Sequence, residues 1–100
     1  QPAADILHKC EQEHRPIAWV GEYHAEFQFL GRLRQPVDPI NRGDIGRWIA
    51  ANPRGVVVMV YSEKDVPETD AEPLLRQQHR GRVMVIWDRA AFIQDPNLLR

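Results

Sequence analysis

Charged and titratable side chains are densest in one short segment of the chain. Glu22, His24 and Glu26 fall within five positions, and Arg32 and Arg34 follow closely. On a β-strand these alternate positions would share one face and could hold a metal ion together, whereas on a helix they diverge. Because a helix is favoured from about Tyr23, we expect no metal site here. The simpler expectation is a polar loop whose carboxylates pair with the arginines.

Common catalytic and nucleotide-binding signatures are missing from the sequence. It has no G-x-S-x-G nucleophile elbow, no Walker phosphate loop and no G-x-G-x-x-G motif. Cys10 is the only cysteine, which excludes an intramolecular disulfide and the C-x-x-C motif. His8 and Cys10 form an H-x-C pair, but Cys10 lies on a predicted buried helix face, so we expect a buried thiol. The chain by itself is expected to be non-catalytic and to need no cofactor.

Composition indicates one globular domain. The 100 residues are 43% hydrophobic and 27% charged, with a formal net charge of −1. A nearly neutral chain has no bulk field that would favour nucleic acid, so no nucleic-acid partner is expected. The longest apolar run, Val56–Tyr61, is far shorter than the roughly 20 residues of a membrane helix. The chain begins with Gln1 rather than Met, and we expect a monomeric fragment excised from a larger protein.

Helical and strand patterns alternate along the chain. Apolar residues at helical spacing over Ala3–Cys10 predict a helix that ends at Arg15-Pro16, and Ile17–Val20 predicts a buried strand. The segment 22–30 is ambiguous, because its aromatic residues fit either a helical face or a strand alternation; we favour a short helix. Residues 36–40 predict a second strand. A helix is expected after Asp44 as its N-cap, with its end at Asn52-Pro53.

The second half of the chain continues this alternation. Val56–Tyr61 is apolar on both faces and predicts a central strand. The acidic segment Ser62–Asp70 predicts a loop, Ala71–His79 a helix and Val83–Trp87 another buried strand, with a helical turn over Ala90–Ile93. This order predicts a three-layer α/β sandwich, in which helices flank a mostly parallel sheet of about four strands.

Ligands of open α/β sheets bind beyond the carboxyl ends of the strands. We therefore expect site residues in or after the four predicted strands, at Glu22-Tyr23-His24, Asp38, Ser62-Glu63 and Asp88-Arg89. The three tryptophans, Trp19, Trp48 and Trp87, are expected to pack in the core rather than to stack on a ligand.

The stretch from Ile17 to His24, followed by Phe27-Gln28-Phe29-Leu30-Gly31-Arg32 and Pro36-Val37, carries a family resemblance. It resembles the soluble C-terminal domain of bacterial membrane glycosyltransferases related to the lipid A aminoarabinose transferase and the protein O-mannosyltransferases. The later apolar strands fit the same layout. The resemblance covers most of the chain, although its motifs are short.

The resemblance implies a parent enzyme that transfers a sugar from a polyprenyl-phosphate donor to lipid A or another envelope acceptor. This chain would be its extracytoplasmic, periplasmic domain at the inner membrane, and its partner would be the membrane domain of the same polypeptide. Lipid-linked sugar or a lipid acceptor are further implied partners. The family's catalytic acidic residues lie in loops of the membrane portion, so none is carried over to this chain.

Two other interpretations remain open from the residues. In one, the chain is a stand-alone small α/β enzyme or ligand-binding protein that uses the cluster of Glu22, His24 and Arg32, with Tyr23 beside it. In the other, it is a protein-interaction module with an exposed apolar patch at Tyr23, Phe27 and Phe29.

Overall fold

The structure is a computed structural model that describes residues 2–20, 37–79 and 81–99. Three α-helices and five β-strands follow one another along these residues: α1 (Pro2–Gln12), β1 (Ile17–Val20), β2 (Asp38–Ile40), α2 (Ile45–Ala51), β3 (Val56–Ser62), β4 (Leu75–His79), β5 (Arg82–Asp88) and α3 (Arg89–Gln94). Short 3-10 turns precede α2 at Arg42–Asp44 and follow α3 at Pro96–Leu99. Across the described ranges, the helices are all too short or too polar to span a membrane.

The five strands form one mixed sheet in the order β2-β1-β3-β5-β4. β1 runs parallel to β2 and to β3, with three residue pairs on each side. β5 runs antiparallel to β3 over seven residue pairs and to β4 over five. The predicted mostly parallel sheet of about four strands is therefore wrong, because half of the strand pairs are antiparallel and they carry most of the paired residues.

The largest local error concerns the predicted helix over Ala71–His79. Residues 75–79 instead form β4, where the side chains of Leu75 and Gln77 are half-buried while Arg76 and Gln78 are exposed. Gly81 explains the change: its φ of +79° is a conformation that glycine adopts readily, and it allows a tight hairpin to join β4 to β5. The hairpin reverses the chain where a helix would have led into a parallel strand.

Both faces of the sheet are covered by helices. On one face, Ala3, Leu7 and Cys10 of α1 pack on Trp19 and its neighbours in the strands. On the other face, α2, α3 and the last 3-10 turn contribute to a core cluster with Ala18, Val57, Val85 and Trp87 among its members. Because β3 and β5 are covered on both sides, five of the seven residues in each strand are buried.

The predictions for α1, β1 and β3 are confirmed, and Trp19 and Trp87 are core residues, each 2% exposed. α2 also begins directly after Asp44, as predicted, although the Asp44 side chain makes no capping hydrogen bond. A different contact fixes where α2 lies: a β-carbon on Gly55 would come within 2.5 Å of the Trp48 ring. Glycine is needed there because α2 packs directly on the start of β3.

Candidate functional site

The four residues predicted to bind a ligand, Glu22, Tyr23, His24 and Arg32, lie outside the described residues. The possible metal group of Glu22, His24 and Glu26 lies there too, as do Phe27 and Phe29. Within residues 2–20, 37–79 and 81–99, no three His, Cys, Asp or Glu side chains lie close enough to hold a metal ion.

The other predicted site residues are not brought to one edge of the sheet. Ser62 ends β3 on the side where the parallel strands have their carboxyl ends. Asp88 lies at the opposite edge, because β5 is antiparallel and Asp88 pairs with Val56, the first residue of β3. The expectation that Asp88-Arg89 joins the other strand ends is therefore wrong, and its cause is the reversed direction of β5.

Four of these polar residues, Asp38, Ser62, Glu63 and Asp88, make contacts within the chain. Asp38 accepts a hydrogen bond from Nε1 of Trp48 at 3.1 Å, which joins β2 to α2. The Asp88 carboxylate accepts a bond from the backbone N–H of Ala91 at 3.1 Å and thereby caps α3. These two side chains hold helices against the sheet.

Side-chain hydrogen bonds also hold the start of the loop that follows β3. The Ser62 hydroxyl donates to the Asp65 carboxylate at 2.8 Å. Glu63 accepts a hydrogen bond from the side-chain amide of Gln78, on β4. Ser62 and Glu63 thus fix the direction in which the chain leaves β3.

Cys10 is a buried thiol, as expected. It is 3% exposed, and burial raises its pKa above the ordinary value of a thiol. His8 is on the exposed side of α1, where its Nδ1 lies 3.7 Å from Oε1 of Glu11. A buried thiol with a raised pKa is a poor nucleophile, so this pair is not a candidate reactive centre.

A large cleft lies beside a segment for which the sequence predicted a loop over Ser62–Asp70 and a helix from Ala71. The segment 63–74 leaves β3 and crosses the sheet face above β5, where it borders a cleft of about 920 Å³ that is open to solvent. Val85 and Trp87 of β5 form its floor, and Val66, Pro67 and Pro73 form its apolar walls. We call this space the acidic cleft, because Glu63, Glu68, Asp70 and Asp95 also line it, with Arg76 as the one basic residue among the lining residues described.

Several contacts hold the loop of the acidic cleft on the sheet. Ala71 is 5% exposed and belongs to the core cluster, on which Val66 also packs. The side-chain amide of Gln94, at the end of α3, donates to the Asp70 carbonyl at 3.3 Å. The backbone N–H of Leu74 donates to the Ile86 carbonyl at 2.8 Å. The loop therefore has a defined path across the sheet.

Trp87, on the floor of the acidic cleft, begins a short chain of buried hydrogen bonds on the same face of the sheet. Nε1 of Trp87 donates to the Tyr61 hydroxyl at 3.2 Å, and that hydroxyl donates to Sδ of Met59 at 3.2 Å. Burial raises the pKa of Tyr61 above its ordinary value, although the bond from Trp87 works in the opposite direction. These bonds satisfy the polar atoms of both aromatic side chains inside the core.

A second, smaller cleft of about 460 Å³ lies at the carboxyl end of β2. Asn41, Trp48 and Arg47 line it, and Asp44 lies on its rim with a carboxylate oxygen 3.9 Å from the Arg47 guanidinium. It occupies the position where strand-end ligands are expected. Its charges are nevertheless balanced, so its chemistry favours no particular ligand.

Sequence reasoning did not find the acidic cleft. The density of carboxylates in segment 63–74 was visible, as was its proline content. Residues 75–79, Leu-Arg-Gln-Gln-His, have no alternation of apolar and polar residues, so no local pattern indicated that Arg76 lies on a strand next to the loop. Comparison with protein-family models, with curated proteins and with solved structures found no match to this chain.

Proposed function

We propose that this chain is a non-catalytic accessory domain of a bacterial membrane glycosyltransferase that uses polyprenyl-phosphate sugars. The domain would lie on the periplasmic side of the inner membrane and pack on the membrane domain of the same polypeptide. Its role would be to shape the access of lipid A or another envelope acceptor to an active site in the membrane portion.

One observation from the described residues carries this proposal. The polar side chains of the strands that were candidates for a site are used to hold the fold together: Asp38 binds Trp48, Asp88 caps α3 and Ser62 binds Asp65. A domain built in this way is suited to act as a rigid framework. The resemblance of residues 17–37 to the glycosyltransferase domains supports the identity of the partner.

The first test is the reading frame upstream of Gln1. The proposal expects a series of apolar segments of about 20 residues each, as in a protein with many membrane helices. An upstream sequence without such segments would reject the proposal.

The second test uses the full-length protein in membranes, with glycosyl transfer from a polyprenyl-phosphate sugar as the readout. Glu22→Gln, His24→Asn and Arg32→Gln should each leave kcat within about tenfold of the unaltered enzyme. A general acid or base contributes roughly 10²- to 10⁴-fold, so a larger loss of kcat with unchanged KM would identify a catalytic residue in this domain. Changes confined to KM for the acceptor would support an accessory role.

A further inference from the structure

We infer that the acidic cleft binds a short basic peptide segment in which lysine or arginine side chains alternate with apolar ones. This inference goes beyond the proposed function and does not depend on it, because it concerns a surface of the chain itself. The partner is defined by its chemistry: ammonium or guanidinium groups for the rim of the cleft, and aliphatic groups for its walls.

The size and shape of the cleft fit such an occupant. Its volume of about 920 Å³ lies within the roughly 300–1,000 Å³ of ordinary ligand sites, so it can hold a few residues of a peptide. It is bounded by a loop on one side and by the strands β4 and β5 on the other. Val66, Pro67 and Pro73 are half-buried and give the space apolar walls.

The charges of the cleft favour a cation. Four carboxylates and one guanidinium line it. The carboxylates of Glu68 and Asp70 have no hydrogen bond or ion pair with the described residues, and both side chains are exposed. The carboxylate of Asp95 is partly engaged, since it accepts a bond from the backbone N–H of Asn97 at 3.1 Å. Glu68 and Asp70 are therefore the groups best placed to meet incoming cations.

Apolar walls beside a carboxylate-lined rim favour a basic peptide over a simple cation as the ligand of the cleft. Long basic side chains bury their methylene stems on apolar surface while the charged end stays among polar groups. In an extended peptide, successive side chains point to opposite sides, so one residue can reach the carboxylates while the next contacts Val66 or Pro73. Charge complementarity and apolar contact are thus both available to the same segment.

Binding of a blocked Lys-Leu-Lys-Leu tetrapeptide, followed by NMR on the intact chain, tests the inference. We expect shifts of the backbone amides of residues 66–71 and of the Trp87 indole N–H. A Glu-Leu-Glu-Leu peptide should cause no such shifts, and a Lys-Gly-Lys-Gly peptide should bind more weakly. Equal binding of the two lysine peptides would mean that charge attraction alone accounts for binding and that the apolar walls contribute nothing. This result would overturn the inference.

Paired variants locate the site. Glu68→Gln with Asp70→Asn should weaken binding by roughly 2- to 30-fold, which corresponds to two exposed ion pairs. Glu13→Gln with Asp5→Asn changes the net charge equally at exposed positions in and next to α1, away from the cleft loop and its lining, and should change the affinity less than twofold. Equal effects of the two double variants would overturn the inference.

Arg76→Gln provides a test with the opposite sign. It removes the one cation among the described lining residues, so the basic peptide should bind about twofold more tightly. Weaker binding would show that the cleft prefers an anion, which would contradict the proposal. Urea unfolding of each variant, compared with the unaltered chain, establishes that the effects arise from binding and not from loss of the fold.

Discussion

Replacing Gly55 by alanine should force α2 away from the sheet. The added β-carbon would lie 2.5 Å from two ring carbons of Trp48 and 3.0 Å from the Asn52 carbonyl oxygen. Trp48 cannot simply turn aside, because its Nε1 donates to Asp38 and its ring packs on the core cluster. Overpacking of this kind costs about 1–3 kcal/mol, so the free energy of unfolding should fall by that amount.

A double-mutant cycle isolates the contact behind this cost. Trp48→Phe removes the ring carbons nearest to the new β-carbon, so Gly55→Ala should cost less than about 1 kcal/mol in that background. The expected coupling energy is about 1–2 kcal/mol, within the range for residues in direct contact. The remaining cost reflects the Asn52 carbonyl, which is backbone and moves less easily.

Urea unfolding followed by circular dichroism gives the four free energies of the cycle, and thermal unfolding gives a second measure. For a domain of this size, 1 kcal/mol corresponds to roughly 4–8 °C in Tm. Gly43→Ala is the matched control, because a β-carbon there meets nothing within 4 Å, and its effect should stay within about 0.5 kcal/mol. If Gly55→Ala costs as much in the Trp48→Phe background as in the unaltered chain, the explanation by steric contact is refuted.

Three further predictions concern helix, cap and core. Gly46→Ala should raise the free energy of unfolding by about 0.5–1 kcal/mol in urea titrations, because alanine favours the helix and its β-carbon would meet only a methyl group 3.9 Å away; destabilisation would show that α2 is packed more tightly than described. Asp88→Ala should cost about 0.5–2 kcal/mol through loss of the cap, whereas Asp88→Asn should retain most of the stability; equal losses would point to the charge instead. Because burial raises the pKa values of Cys10 and Tyr61, the unfolded chain releases their protons at lower pH than the folded chain does, so stability should fall as the pH rises past about 9 to 10. Unfolding curves at pH 8 and pH 10.5 measure this loss, which should be smaller in Cys10→Ala, and a flat profile would contradict it.

Local sequence patterns predicted a helix or strand correctly where its buried residues follow a simple periodic spacing or a continuous apolar run. The spacing of Ala3, Leu7 and Cys10 predicted α1, and the branched apolar run from Val56 predicted β3. The direction of β5 was not predictable in this way. A strand buried on both faces is uniformly apolar whether its neighbours run parallel or antiparallel, so Val83–Trp87 carried no signal of its direction. That information resided in the turn at Gly81.

The candidate site depended still more on tertiary structure. The carboxylates of segment 63–74 were visible, but their position over Trp87 results from the packing of Val66 and Ala71 on the core. Likewise, Asp38 was predicted to be a site residue, whereas in the structure its carboxylate accepts a hydrogen bond from Nε1 of Trp48. Such partners are set by how helices lie on the sheet, which no local pattern encodes.

The mixed pairing of β3 also has a kinetic consequence. On one side, β3, β4 and β5 come from a continuous stretch of 33 residues, Val56–Asp88, and a tight turn at Gly81 closes the hairpin. On the other side, β1 reaches β3 only across the long intervening sequence that also contains β2 and α2. Because closing a longer loop costs more entropy, the antiparallel half is expected to assemble before the parallel half. Substitutions in the hairpin should therefore change mainly the refolding rate, and substitutions in β1 mainly the unfolding rate.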